Sequence, residues 1–283
     1  MAYTNLVSPG VLAQHLGAAD WRVVDCRFSL ADPAAGHQLW RDGHIPGAVY
    51  ANLDRHLASA VEPGSGRHPL PSPRAFAKRL GAWGITRDTQ VVAYDDAGGA
   101  FAARLWWLLR WVGHEAAAVL DGGLPAWLRA GHALSDELPE PEATTYDAQP
   151  RPELAIERRQ LRAMLTAGTG VLLDARDAER FMGEREPLDT RAGHIPGARN
   201  YPFPANLDDD GVFLKPAQLR ACFGAALQDA EPQSVVMMCG SGVTACHNLL
   251  AMDVAGLPGA RLYPGSWSEW IADPSRPVAS GPA

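Results

Sequence analysis

Gly43-His-Ile-Pro-Gly-Ala48 returns letter for letter as Gly193-His-Ile-Pro-Gly-Ala198. No other feature limits the possible folds so strongly, because it does not return alone. Trp21-Arg-Val-Val-Asp25-Cys-Arg27 is answered by Val171-Leu-Leu-Asp174-Ala-Arg176, and Gln90-Val-Val-Ala-Tyr-Asp95 by Ser234-Val-Val-Met-Met-Cys239. Val119-Leu-Asp-Gly-Gly-Leu-Pro-Ala-Trp127 is answered by Arg261-Leu-Tyr-Pro-Gly-Ser-Trp-Ser-Glu-Trp270. The order is kept while the offset shrinks from 150 to 143 residues. A period this long is a duplicated domain, not a solenoid repeat of ~20–50 residues. The 283 residues hold two domains of ordinary size.

The seam lies in a proline-rich stretch without hydrophobic period, around Leu138-Pro-Glu-Pro-Glu-Ala-Thr-Thr. The expected division is therefore 1–135, a linker at 136–152, and 153–283. In each half short apolar runs alternate with helical patterns. The helices are expected over Ser8–Leu16, Pro73–Trp83, Gly99–Val112 and Leu124–Ala130, then Ile156–Leu165, Pro216–Leu227, Val243–Val254 and Ser266–Ile271. Alternation of this kind specifies an α/β fold, each half a mostly parallel sheet with helices on both faces. Ligands of such sheets sit beyond the carboxyl ends of the strands.

Cys239 stands at such an end. Ser234-Val-Val-Met-Met reads as a buried strand, and Gly240 and Gly242 allow the backbone to fold tightly around the sulfur. The apolar residues 243, 246, 249, 250 and 254 then repeat with a helical period. A sulfur in the turn from strand to helix faces unpaired backbone N–H groups and the positive end of a helix dipole, a setting that favours the thiolate. The first half has Asp95 in this position, followed by Asp96-Ala-Gly-Gly. It offers no nucleophile, so the catalytic half is the second.

Composition narrows the class. A net charge of −7 disfavours nucleic acid and anionic membranes as partners. No apolar run approaches the ~18 residues of a membrane span, and the first residues lack the basic and apolar regions of a signal peptide. Four cysteines, at 26, 222, 239 and 246, make no disulfide framework and no CxxC pair, which fits reduced thiols in a cytoplasm. No His, Cys or Asp cluster has metal-ligand spacing, and no phosphate-binding glycine loop is present. The expected cofactor complement is none.

The duplicated Gly-His-Ile-Pro-Gly-Ala, the Asp-Gly-Gly-x-x-x-Trp segment and Cys239-Gly-Ser-Gly-Val-Thr-Ala245 resemble the tandem-domain rhodanese sulfurtransferases over about residues 5 to 275. The cysteine loop resembles the 3-mercaptopyruvate branch more than the thiosulfate branch. Animal thiosulfate enzymes carry two basic residues after the cysteine, where this chain has Gly240 and Ser241. The resemblance implies a ping-pong reaction. Cys239 takes the sulfane sulfur of 3-mercaptopyruvate, with thiosulfate the alternative donor. It then passes the sulfur to a thiol such as that of thioredoxin, or to cyanide.

The resemblance also implies roles residue by residue. Ser241 matches a loop serine that relays a proton to or from the leaving enolate. Asp54 matches the acid that the first domain adds to a cysteine–serine–aspartate triad, and His68, in Gly66-Arg-His-Pro-Leu-Pro71, a histidine near it. Arg180 matches the arginine that grips the donor's anionic group, for which a planar guanidinium fork is suited. Gly240, Gly242, Val243 and Thr244 match the loop that encloses the donor sulfur. One position departs from the mercaptopyruvate pattern. Leu188-Asp189 follows Glu186-Pro187, where those enzymes carry a second arginine, and neither Arg185 nor Arg191 aligns with it.

Other conspicuous residues read as structural. His44 and His194 occur in both halves, including the one without a thiol, and so belong to a turn. Asp25 and Asp174, at strand ends, are expected to satisfy backbone groups or the arginine that follows. Cys26, Cys222 and Cys246 fall in core-like patterns. The phosphatases and arsenate reductases with a Cys-x5-Arg loop are disfavoured chemically, because the position of their arginine holds Ala245. A non-catalytic binding module fits the first half alone.

Overall fold

The computed structural model describes residues 2–282, and these divide into two compact units. The first contains the chain up to Ser59, Leu70–Arg151 and Leu207–Phe213. The second contains Ala60–Pro69, Pro152–Asn206 and the chain from Leu214 onward. Two short segments are thus exchanged between sequence halves, which a single cut at 136–152 does not anticipate. Long-range hydrogen bonds account for both. The Arg67 N–H donates to Ser268 Oγ at 3.1 Å, and the Phe213 N–H to Asp121 Oδ1 at 2.9 Å.

The first unit has strands β1 (Leu6–Val7), β2 (Trp21–Asp25), β3 (Val49–Tyr50), β4 (Gln90–Tyr94) and β5 (Ala117–Leu120). Its helices are α1 (Pro9–Gln14), α2 (Ala35–Asp42), α3 (Leu53–His56), α4 (Pro73–Ala82), α5 (Ala102–Trp111) and α6 (Gly123–Arg129). The strands form one sheet in the order β1-β5-β4-β2-β3, every pair parallel. The centre of the sheet is β4, buried at every residue. Helix α5 is apolar nearly all round and buried except at Arg110, as such a composition requires.

The second unit repeats this plan with β6 (Val171–Asp174), β7 (Ala198–Asn200), β8 (Val235–Met238) and β9 (Arg261–Leu262). Its helices are α7 (Arg158–Ala167), α8 (Ala178–Met182), α9 (Pro216–Leu227), α10 (Thr244–Val254) and α11 (Ser266–Trp270). The order β7-β6-β8-β9, again all parallel, matches β3-β2-β4-β5 strand for strand. In place of β1 stands a single parallel bridge between Ala155 and Leu262. The duplicated α/β architecture is as the repeat requires. The short helices α2, α3 and α8 are additions to the expected set.

The repeated hexapeptide has the same structural task in both units. Gly47 and Gly197 take positive φ, +77° and +85°, which a glycine adopts without strain. Ile45 and Ile195 are fully buried. The ring of His44 bonds the Trp40 carbonyl at 2.7 Å, and that of His194 the Phe181 carbonyl at 2.8 Å. Asp25 and Asp174 each hold the arginine two residues on, and those arginines donate to the hexapeptide carbonyls. Arg27 Nη2 lies 2.7 Å from Gly43 O, and Arg176 Nη2 lies 2.8 Å from Gly193 O. Buried, bidentate and fully partnered, these pairs fasten strand to loop in both units. Among the described residues no helix is long and apolar enough to cross a membrane.

Candidate active site

Cys239 follows β8, an inner strand of its sheet, and is 2 % exposed. The chain turns through Gly240–Val243 and enters α10 at Thr244, so the sulfur lies at the positive end of an eleven-residue helix. The Gly242 N–H donates to Cys239 Sγ at 3.1 Å. Gly242 has φ +75°, and a Cβ there would meet the Pro264 carbonyl oxygen at 2.5 Å. No other residue fits this position, and the donor on the sulfur depends on it. Val243 is buried and Thr244 partly so, and the Val243 carbonyl accepts from the Cys246 N–H. Cys246 donates its thiol to the Gly242 carbonyl at 3.3 Å and is fully buried, a packing role within the loop.

Ser266 supports the cysteine from behind. Its hydroxyl accepts from the Cys239 N–H at 3.1 Å and donates to the Tyr263 carbonyl at 2.9 Å. It does so from φ +54°, a left-handed conformation that is rare outside glycine. The repeat explains the geometry, because the first unit has Gly123 at φ +56° in the equivalent place. Comparing Asp121-Gly-Gly with Tyr263-Pro-Gly-Ser in the sequence exposes the substitution, which residue types alone do not flag.

Ser241 and His68 share a hydrogen bond of 2.7 Å between Oγ and Nδ1, with either able to donate according to the ring's tautomer. Both are buried, at 6 % and 5 % exposure. His68 reaches Ser241 because Ala60–Pro69 belongs to the second unit. Asp54 belongs to the first. It lies in the first turn of α3, whose N-cap is Asn52, accepting from the Asp54 and Arg55 N–H groups. There Asp54 lines a cavity of about 560 Å³ with His37, Tyr50 and His56 among other residues of that unit.

Two guanidiniums stand over the loop. A Cβ on Gly240 would lie 2.9 Å from Arg67 Nη2 and 3.5 Å from Arg180 Nη2, so both crowd the residue next to Cys239. Arg180 was expected; Arg67 was not, although it directly precedes His68. Its proximity arises from the exchanged segment, and no local pattern signals that. Arg180 donates through Nε and Nη2 to Glu186, the shortest bond 2.8 Å, and through Nη2 to Asp189 at 3.0 Å. Arg67 pairs with the other oxygen of Asp189. Behind them Arg176 bonds Asp174 and Glu186 and stacks 4.7 Å from the Trp267 ring. Leu188, at the place of the family's second arginine, is exposed.

In the first unit the same strand end carries Asp95, fully buried. Its carboxylate accepts four amide N–H groups, from Ala97, Gly99, Phe101 and Ala102, each at 2.8 Å. In both units the loop turns backbone N–H toward the side chain at the strand end, four amides in the first and that of Gly242 in the second. In one it holds the Asp95 carboxylate; in the other it holds the Cys239 sulfur. No cluster of three or more His, Cys, Asp or Glu able to hold a metal occurs among the described residues.

Comparison with known proteins agrees with this geometry. The family model described as "Rhodanese-like domain" matches residues 8–130 and again 157–273. A Pseudomonas aeruginosa protein named "Probable 3-mercaptopyruvate sulfurtransferase" is 50 % identical over 283 residues, covering 99 % of this chain and all of that one. The "Thiosulfate sulfurtransferase" of Bos taurus is 34 % identical, covering 99 % and 96 % of the two chains. Among solved structures, SseA from Escherichia coli, described as a 3-mercaptopyruvate sulfotransferase, superposes with a TM-score of 0.79. That match has 33 % identity and covers 94 % of this chain and 100 % of the other. With one matched domain in each unit, the chain belongs to the rhodanese family in its tandem form.

Proposed function

We propose that this chain is a sulfurtransferase that moves sulfane sulfur from 3-mercaptopyruvate, through a persulfide on Cys239, to a thiol or to cyanide. The observation that carries this reading is the sulfur itself: a buried cysteine at a helix N-terminus, bonded by the Gly242 amide, beside two guanidiniums and a serine–histidine pair. The cradle stabilises a thiolate, which attacks the sulfur of the donor. An S–S bond forms, the donor's C–S bond breaks, and its electron pair leaves as the enolate of pyruvate. The donor's S–H proton reaches the enolate carbon by way of Ser241 and His68, and pyruvate departs. Arg180, with Arg67 beside it, takes the donor's carboxylate, which fixes its sulfur in line with Sγ. Cyanide then takes the outer sulfur as thiocyanate. A dithiol acceptor such as thioredoxin takes it as a hydropersulfide, which its second thiol resolves to a disulfide and hydrogen sulfide.

Asp54 completes the proton relay in this proposal, as the corresponding acid does by resemblance. Gly240, Gly242, Val243 and Thr244 supply the backbone that surrounds the transferred sulfur. The enzyme works in the reducing cytoplasm and takes no cofactor, nucleic acid or membrane as partner. Thiosulfate is the secondary donor, favoured by Leu188 standing where the mercaptopyruvate pattern has its second arginine. Steady-state transfer to cyanide tests the choice, with kcat/KM compared for the two donors. A higher value for 3-mercaptopyruvate is expected; a higher value for thiosulfate would reverse the assignment.

A further inference from the structure

The anion-binding arginines of this site are already bound to an anion. Asp189 places one carboxylate oxygen on Arg67 and the other on Arg180 Nη2, at 3.0 Å. Its side chain is 4 % exposed, so the bridge is a built feature and not a surface pairing. Both of the bridged guanidiniums overhang Gly240, next to Cys239. The wider cluster is balanced, with Arg67, Arg176 and Arg180 against Asp174, Glu186 and Asp189. No cation in it is left uncompensated for a donor. Burial and the neighbouring Glu186 raise the pKa of the Asp189 carboxyl, and the guanidiniums of Arg67, Arg180 and Arg176 oppose that shift.

We propose that Asp189 determines donor specificity: a resident carboxylate bridging Arg67 and Arg180, it competes with the donor's anionic group and disfavours doubly charged donors over singly charged ones. The inference rests on the reading of Cys239 as the sulfur acceptor and sharpens its donor class. A singly charged carboxylate can take one fork of one guanidinium while Asp189 keeps the rest. A dianion such as thiosulfate doubles its repulsion from Asp189 and its attraction to the guanidiniums alike, and with three carboxylates matching three guanidiniums its second charge finds no unmatched cation. The loop beside the cysteine cannot compensate, because Gly240 and Ser241 carry no cation.

The test compares wild type with Asp189→Asn and Asp189→Ser, both checked for a native melting transition. Removing the charge should lower KM for thiosulfate about tenfold, the worth of one charge-assisted contact, and KM for 3-mercaptopyruvate by less, with kcat little changed. An unchanged or raised KM for thiosulfate would overturn the proposal and leave Asp189 as a scaffold for the arginines. A second arm needs no turnover. Sulfate and pyruvate are titrated calorimetrically into Cys239→Ser, with and without Asp189→Asn. Sulfate should gain more than pyruvate from the second substitution, and equal or weaker sulfate binding refutes the idea even in a protein that transfers no sulfur. If neither variant folds, the Cys239→Ser background decides alone: it must bind pyruvate at least as tightly as sulfate, and a preference for sulfate refutes the proposal. Failure of wild-type Cys239 to acquire sulfur would sink the sulfurtransferase reading while leaving the binding result to stand.

Discussion

In the proposed reaction Ser241 separates the two donors chemically. A departing enolate needs a proton on carbon, whereas sulfite leaves as a stable anion. Positioned proton transfer is worth about 10²- to 10⁴-fold, so Ser241→Ala should cut kcat/KM for 3-mercaptopyruvate by at least about tenfold. The thiosulfate value should stay within about threefold on the same grounds. An unchanged ratio between the donors would remove Ser241 and His68 from the proton path. Arg180→Ala should lower kcat/KM for the preferred donor by about 10- to 150-fold, mainly through KM, the range of a lost charge-assisted contact. Because Glu186 and Asp189 lose a partner, a melting curve must accompany it, and Arg180→Lys should recover part of the loss. A fall confined to kcat would place Arg180 away from the donor's anion. Cys239, Ser241 and Arg180 are legible in the sequence because their motifs are local. Arg67 and Asp189 are not, since one reaches the site through an exchanged segment and the other through a charge pairing between distant positions.

At the scale of the element, the strand–loop–helix unit is the same device twice, and what sits in its cradle separates the copies. Asp95 satisfies four backbone donors at once. Asp95→Asn keeps the shape but replaces one acceptor oxygen by an NH₂ group, leaving two buried N–H groups without an acceptor. Each such orphan costs about 1–3 kcal/mol, so chemical denaturation should show the first unit destabilised by about 2–6 kcal/mol. A variant as stable as wild type would mean that the carboxylate does not hold the loop. The strand, the glycines and the helix period made this element readable from Ser234 to Val254. Helices α2, α3 and α8 are not among the expected ones; at eight residues or fewer their stability comes from tertiary contacts.

For the whole molecule, the duplication was plain from order-preserving repeats, and the parallel sheets followed from it. The exchanged segments did not follow, because membership of Ala60–Pro69 in the second unit depends on contacts some two hundred residues apart in sequence, such as Arg67 with Ser268. A fragment of residues 152–283 therefore carries Cys239 and Arg180 but lacks Arg67 and His68. It should transfer sulfur at least about a hundredfold more slowly than the full chain, given the usual worth of a proton relay and an anion contact together. Full activity from that fragment would show that neither residue takes part.

The central claim is a covalent one: sulfur rests on Cys239 between donor and acceptor. The full chain is exposed to 3-mercaptopyruvate without acceptor, desalted, and weighed intact, then digested to locate the change. Wild type should gain the mass of one sulfur atom on the peptide holding Cys239 and lose it on addition of cyanide, while Cys239→Ser gains nothing. A wild type that gains no sulfur, or one that carries it on Cys26, Cys222 or Cys246, would contradict the account.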